Sequence, residues 1–599
     1  MESTHISQGP DPTYEDAFYQ YQPLAYPDSI RLLELNAGEP YDPIVCMLQT
    51  ARLEENPSYE AISYVWGDRN VKRHITCGFQ RLDTTVSLHD ILRELRRPEK
   101  PRLLWADAVC INQNDIVERG QQVGIMGSIY AKAARVVIWL GHDEEHVGPE
   151  ILRMVSQHDT LDSLSQSQTD AVAGLLKTAW FSRVWVIQEA ALSQSPYVLW
   201  GQTEINWRSL VYLLKEIGDQ RIAVGDLWNK VGVEWNFWLA HGAYNPSKQS
   251  LLHLVGLLYT ARGHSATDPR DHVYAFLGHP ANLLGGRPLL RAEYTRTRAE
   301  VFRDATVKFL RSMGNLDILS YVTHGESLHL QDGLPSWVPM WDCLPLMSTG
   351  FDVRVFPFPE SGLFREEIRD VSKEIFIDIS DEDRVLSLRG LEVDVVEWHS
   401  ETIIYKMIPP GLWDCGKEEH PLEKLWTDLK NHCSCNPYDG SLMELFSLLL
   451  TSGLIKKAKV EDRFDEHNAN FQAWRLRHSE ELQLEIGELF PGRDQQCFSM
   501  LRKAAEGGNW AQFVSDAFRA CNGRKVFTTK NGHLGVGPMA MRSGDIASIL
   551  FAARTAFILR PAGDQYILVG EAYLHGSVHD EVVAMWKKGQ LRDGLFKIV

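Results

Sequence analysis

Three stretches of the chain gather the residue types that reaction chemistry uses. In the first, Tyr59-Glu60-Ala61-Ile62-Ser63-Tyr64-Val65-Trp66-Gly67 is followed by Asp68. In the second, Leu104-Trp105-Ala106-Asp107-Ala108-Val109-Cys110-Ile111-Asn112-Gln113 leads to Glu118-Arg119, Gln122-Val123, Met126 and Ile129-Tyr130, and closes on Trp139-Leu140-Gly141. In the third, Phe181-Ser182-Arg183-Val184-Trp185 runs into Val186-Ile187-Gln188-Glu189. Guanidinium groups grip carboxylates and phosphates with forked hydrogen bonds, indole faces stack on rings, and a carboxylate accepts from hydroxyls or stabilises a developing cation. The same residues also have an architectural reading. Arg119 or Arg183 would pair with Glu118 or Glu189, Asp107 would cap the next turn, and Trp66, Trp105 and Trp139 would be core. Cys110 has no histidine in its block to activate it, so it reads as a small core residue.

The elements that must hold these residues follow from periodicity. Glu60 to Trp66 and Leu103 to Asp107 read as strands, as does Val136 to Leu140, stopped by Gly141. Leu88, Ile91, Leu92 and Leu95 share one face of a helix over Ser87–Leu95. A longer helix runs from about Asp115, a plausible cap, to Ala134, with Val123, Met126, Ile129, Tyr130 and Ala133 as its apolar stripe. Helical pieces at about 148–157 and 169–178 precede a helix at Trp185–Leu192 and a strand at Tyr197–Trp200. Alternating strands and helices make βαβ units, and near-continuous apolar strands imply a parallel sheet covered on both faces. The expected class is α/β: a doubly wound, mostly parallel sheet over residues 30–205, after an irregular tail at 1–29. Ligands of such sheets lie beyond the carboxyl ends of the strands, where Trp66-Gly67-Asp68, Asp107 and Gly141-His142-Asp143 all fall.

Beyond that domain, residues 206–330 read as helical and 331–520 as mixed and helix-rich. The stretch 521–599 reads as β-rich, with a hairpin turn at Asn531-Gly532 and strands at Ile546–Leu550, Ala556–Leu559 and Tyr566–Val569. At 599 residues the chain holds about three domains. With 44% apolar and 23% charged residues it is a folded globular chain rather than a disordered one. A net charge of −18 and the lack of a long basic run argue against nucleic acid as a partner. No signal peptide or membrane-spanning stretch is visible, and nine scattered cysteines suit a reducing, cytoplasmic setting. His432-Cys433-Ser434-Cys435, with Cys415 and His420 nearby, matches no zinc spacing and reads as a surface loop, so no metal site is expected. There is no phosphate-binding glycine loop followed by lysine and no GxSxG elbow. Gly535-Val536-Gly537-Pro538-Met539-Ala540 mimics a dinucleotide fingerprint, but it follows a hairpin turn and carries proline where a helix would start.

In order and spacing, the three blocks resemble the heterokaryon incompatibility (HET) domain of fungal proteins. Two flanking runs resemble the usual surroundings of that domain in long family members. They are Asp268-Pro269-Arg270-Asp271-His272-Val273-Tyr274-Ala275-Phe276-Leu277-Gly278 and the C-terminal stretch from Gly532-His533-Leu534-Gly535 through Leu559-Arg560-Pro561 to Gly576. One departure is Phe551-Ala552-Ala553-Arg554, where a glycine is common. The resemblance implies a fold similar to TIR domains, with a flavodoxin-like sheet, and a role in non-self recognition and programmed cell death. It implies a protein partner: the product of an incompatible allele, or another copy of the chain. Because some TIR proteins cleave NAD, it also implies a possible NAD site. In that site Glu189, Asp107 and Arg183 would be catalytic. Trp66, Asp68, Glu118, Arg119 and Trp185 would bind the substrate, with Arg183 facing the pyrophosphate. Some HET-like genes accompany metabolite pathways, which leaves a biosynthetic enzyme as a second reading. An interaction scaffold whose motifs only maintain the fold is a third.

Overall fold

The computed structural model describes residues 17–157, 164–219, 251–326, 328, 333–343, 378–380, 384–404, 420–433, 441–455, 458–459, 463–482, 487–491, 495–575 and 578–599. Two compact units divide it, Met1–Val301 and Phe302–Val599.

The first unit is built on nine strands: β1 (Ser29–Leu35), β2 (Val45–Arg52), β3 (Glu60–Ser63), β4 (Lys72–Cys77), β5 (Gln80–Thr85), β6 (Arg102–Trp105), β7 (Arg135–Gly141), β8 (Pro196–Trp200) and β9 (Thr203–Asn206). They form one mixed sheet in the order β5-β4-β2-β1-β6-β3-β7-β8-β9. Its centre, β6-β3-β7-β8, is parallel, and antiparallel pairs flank it except where β2 meets β4 in parallel. Numbered along the chain, the four central strands lie in the order 2-1-3-4, the flavodoxin-like arrangement. The direction of winding therefore reverses beside β3, and that is where such sheets open a crevice.

The parallel centre is built as the apolar runs require. All five residues of β8 are buried, as are Val136–Trp139 of β7, so helices must cover both faces. Helix α1 (Val86–Leu95) buries Leu88, Ile91, Leu92 and Leu95 and is capped by Thr85. A one-turn helix α2 (Asp107–Cys110) leads to α3 (Ile116–Lys132), whose Asp115 accepts from the amides of Val117 and Glu118. Helices α4 (Gly148–Gln157), α5 (Gln166–Lys177) and α6 (Val186–Ala191) follow β7. The strand beginning at Glu60 stops at Ser63, short of Trp66. Beyond Ser63 the Tyr64 and Val65 carbonyls accept from Arg183 and the Ser87 hydroxyl instead of a neighbouring strand, and Gly67 turns at φ +71°.

After β9 come α7 (Trp207–Asp219), α8 (Leu251–Thr260), the short α9 (Asp271–Tyr274) and a small hairpin, β10 (Leu283–Leu284) with β11 (Arg287–Pro288). The 264–296 segment packs onto α3 and α6. A Cβ added at Gly127 would lie 2.6 Å from the Gly278 Cα, so two glycines meet where backbones touch. Helix α10 (Arg298–Met313) carries the chain into the second unit.

There, β12 (Asp378–Ser380) pairs with the fifteen-residue β13 (Val385–His399). A closed ring then runs β13-β16-β17-β20-β19-β18 and back to β13. Its other members are β16 (Arg524–Thr529), β17 (Leu534–Pro538), β18 (Ile546–Leu550), β19 (Ala556–Ala562) and β20 (Gln565–Leu574). Strand β21 (Gly594–Ile598) pairs with β13 and β20. Closure removes sheet edges. It is achieved by bending β13, which breaks register at two places while passing from β18 to β16. The barrel thus takes one strand from far ahead of the 521–599 stretch. The Asn531-Gly532 turn joins β16 to β17, with Gly532 at φ +87°. Between β13 and β16 lie a small hairpin, β14 (Leu454–Ile455) with β15 (Ala458–Lys459), and five helices. These are α11 (Pro421–His432), α12 (Leu442–Thr451), α13 (Phe464–Leu482), α14 (Gln495–Ala504) and α15 (Trp510–Cys521). Trp426, Phe446, Phe471, Trp474 and Phe513 from this insertion pack against Val526, Leu534 and Val536 of the barrel wall. Helix α16 (Val578–Lys587) precedes the last strand. Among the described residues no helix is long and apolar enough to cross a membrane.

Candidate functional site

The carboxyl ends of β3 and β6 and the start of α6 bring four of the named residues together. The Trp66 indole N–H sits 3.0 and 2.9 Å from the two Asp107 oxygens. Arg183 donates to the Tyr64 carbonyl and acts electrostatically on both Asp107 and Glu189. Asp107, Arg183 and Trp66 are half-buried as whole residues. Glu189 is not, being 1% exposed.

Glu189 belongs to a sealed layer beneath them. The Ser63 hydroxyl donates to Glu189 Oε2 at 2.5 Å and itself accepts from the Trp180 indole N–H at 2.8 Å. The Tyr130 hydroxyl lies against Glu189 and the Tyr64 hydroxyl against Asp107, and burial pushes both phenols well above their ordinary range. Burial also pushes the Glu189 carboxyl up to about 7 against the pull of Arg183. It raises Asp107 as well, opposed by Arg183 and the Trp66 hydrogen bond. The outer layer thus offers a carboxylate, a guanidinium and an indole edge. The inner one holds an acid whose charge changes near neutrality. One face of the Trp66 ring is taken by Arg69, whose guanidinium carbon stands 4.4 Å from the ring centre.

The remaining named residues lie elsewhere. Trp185 turns to the 264–296 segment, where its indole N–H donates to Asp271 at 3.1 Å. The Tyr294 hydroxyl donates to the other Asp271 oxygen at 2.7 Å. Burial lifts Asp271 to about 6 in spite of these two bonds. Arg119 lies over the Tyr294 ring at 4.2 Å. Its neighbour Glu118 points the other way, into a buried two-pronged pair with Arg31 at 2.6 and 2.8 Å. An ion pair at Glu118 was expected; its partner comes from β1. Asp68 is exposed and accepts from the Asn70 amide. Asp143 caps α4 through the amides of Val147 and Gly148. Trp105 and Cys110 are core.

Ser63, Trp180, Tyr130, Arg31 and Asp271 were not named as site residues from the sequence. Ser63 carried a usable signal, a hydroxyl at the end of an apolar strand, where a buried polar group needs a partner. The others come from distant segments. In the 432–435 stretch, Ser434 and Cys435 lie outside the described residues, as does Cys415. His432 donates its Nδ1–H to the Asp428 carbonyl and stacks on Trp398. Among the described residues no group of three or more His, Cys, Asp or Glu side chains could hold a metal ion.

Comparison with known proteins places these features in a family context. The pattern described as "Heterokaryon incompatibility protein (HET)" matches residues 59–189, from the first residue of the first block to the last of the third. The pattern described as "Het-6 beta-barrel domain" matches residues 451–591, which hold five of the six ring strands but not β13. The chain is 27% identical to heterokaryon incompatibility protein 6, OR allele, of Neurospora crassa, over 94% of this chain and 96% of that protein. No solved structure matches it.

Proposed function

We propose that this chain, which carries a match to the HET domain over residues 59–189 and to the Het-6 barrel domain over residues 451–591, acts in fungal heterokaryon incompatibility. In this reading the first unit is the effector that arrests growth or kills the cell. The barrel-bearing unit selects the partner, an incompatible allele product or another copy of the chain. The observation that carries it is the near full-length match to an incompatibility protein, which spans both units rather than the HET stretch alone. The relative's name includes an allele designation, in line with recognition that depends on sequence differences between strains.

The test is inducible expression of the full chain in a fungus, scored for growth arrest and loss of viability. Wild type should arrest growth, while Asp107→Asn and Arg183→Ala, at equal protein level, should not. Full toxicity in both variants would remove the effector role from this crevice.

One observation favours a second, compatible reading as an NAD-cleaving enzyme: a carboxylate and a guanidinium on half-buried residues beside an indole at the point where winding reverses. In such a reaction the bond between ribose carbon and nicotinamide nitrogen breaks, its electron pair leaving with nicotinamide. A water oxygen then bonds to that carbon and gives up a proton. Because Glu189 is sealed, Asp107 would be the carboxylate that meets the ribose. Loss of NAD with purified wild type but not with Asp107→Asn is the expected result; no turnover by concentrated wild type would dismiss this chemistry.

A further inference from the structure

The loop that carries Asp107 is held on several sides by residues that precede the HET stretch or follow the loop. The Tyr21 hydroxyl donates to the Val109 carbonyl at 2.9 Å, and Arg31 donates to the Cys110 carbonyl at 3.1 Å. Glu118 accepts from the Asn112 amide at 2.7 Å, and the Gln113 side chain donates to the Asp107 carbonyl at 2.8 Å. Arg31 and Glu118 are also bound to each other, and Arg31 donates to the Gln22 carbonyl at 2.6 Å as its guanidinium lies over the Tyr21 ring. These bonds engage Asp107, Val109, Cys110 and Asn112, most of a short loop that also carries the single turn α2. A four-residue helix has too few internal hydrogen bonds to fix its own position, so external partners must do so.

We infer that Arg31, Glu118 and Tyr21 are positioning residues for Asp107, and that the N-terminal segment from Tyr21 to Arg31 is part of the functional site. Arg31 has one side chain for three tasks: its fork meets Glu118, one nitrogen holds the Asp107 loop, and another holds the N-terminal segment. A shift of that segment is thereby transmitted to the residue that faces the crevice. Arg31 is 3% exposed, and Glu118 is buried, so the geometry is fixed by packing as well as by charge. The inference rests on the reading of the Asp107–Arg183 crevice as the functional site.

The experiment uses the full chain with three changes: Asp107→Asn, the double variant Arg31→Met/Glu118→Leu, and Tyr21→Phe. Removing both charges together avoids stranding one of them in the interior. Two readings are taken for each: growth arrest on expression, and hydrogen exchange of the 106–113 backbone against that of the rest of the chain. The double variant should exchange at least tenfold faster at 106–113 and lose growth arrest, with exchange elsewhere near wild type. Tyr21→Phe should raise exchange there by a smaller factor, and it decides the matter by the same readings if the double variant does not fold. Unchanged exchange at 106–113, or full growth arrest from a chain with a loosened loop, would overturn the inference while leaving the crevice in place. Full growth arrest from Asp107→Asn would instead overturn the reading of the crevice, and the inference with it.

Discussion

Glu189 and Asp107 share one guanidinium but differ in solvent access, and that difference assigns their behaviour. Glu189 is held at about 7 by burial, above the ordinary 4.5 of its unfolded state. A carboxyl whose folded value is raised supports stability below the unfolded value and loses that support as pH rises through the folded one. The window here is therefore from about pH 4.5 to about 7, with a cost on the order of 3 kcal/mol once the group is ionised. Glu189→Gln keeps an acceptor for Ser63 and cannot ionise. Its unfolding midpoint should gain on wild type steadily across that window; a difference independent of pH would contradict the buried acid. The types of these residues were legible in the sequence, as was the placement of Asp107 at a strand end and of Glu189 on a helix. Which of the two carboxylates lies on the more deeply buried residue was not, because the neighbours of Glu189, Trp180 and Tyr130, belong to other elements.

At the scale of elements, two backbone positions test why the chain turns where it does. Ala552 adopts φ +68°, a conformation that costs a side-chain-bearing residue about 1 kcal/mol or more. The strain is held in place by neighbours: its carbonyl accepts from the Leu316 amide at 3.1 Å, and Arg554 pairs with Asp317 at 3.0 Å. Ala552→Gly should raise stability by up to about 1 kcal/mol in denaturant titration; a loss would show that the turn is not strained. Gly278 is the opposite case. A Cβ there would lie 2.6 Å from Gln188 Oε1 and 2.8 Å from the Gly127 backbone, so Gly278→Ala should cost about 1–3 kcal/mol by overpacking. An unshifted midpoint would mean that the 264–296 segment is free to move away from α6. The motif around Leu559-Arg560-Pro561 also acquires a role here: Arg560 binds Asp545 at 2.8 and 2.9 Å and donates to the Ala540 carbonyl, fixing the loop before β18.

Over the whole molecule, histidine burial sets the acid limit. His264, His279, His420, His467, His478 and His575 are each pushed down by burial to between about 3 and about 4. Two buried pairs share one design, in which a histidine before a proline caps a helical turn with Nδ1 and meets a second histidine with Nε2. His279 approaches His253 at 3.2 Å and His420 approaches His478 at 3.3 Å. A base whose folded value is depressed contributes stability that is complete above its unfolded value, near 6.5, and is lost as pH falls toward the folded one. Calorimetric midpoints should therefore drop steeply from pH 6.5 to 4; a flat profile would mean these imidazoles titrate normally.

By itself the sequence carried the resemblance to the HET domain, the α/β class of the first unit, the helices α1 and α3 with their buried faces, and the Asn531-Gly532 hairpin. These follow from local spacing: apolar period, capping residues and turn chemistry are all written within a few neighbours. The tertiary structure decided what depends on residues far apart in the chain. Alternation of strands and helices could not reveal the antiparallel flanks β1, β2, β4 and β5, because one-sided strands such as Lys72–Cys77 carry little apolar signal. Nor could it show β13 closing a barrel whose other strands begin beyond residue 520, since pairing between distant strands leaves no periodic mark. The same holds for the partners of Glu118, Arg119 and Trp185. Charge and aromaticity made them look like one site, yet long-range packing sends them to Arg31, Tyr294 and Asp271, and leaves Trp66, Asp107 and Arg183 together beyond the ends of β3 and β6.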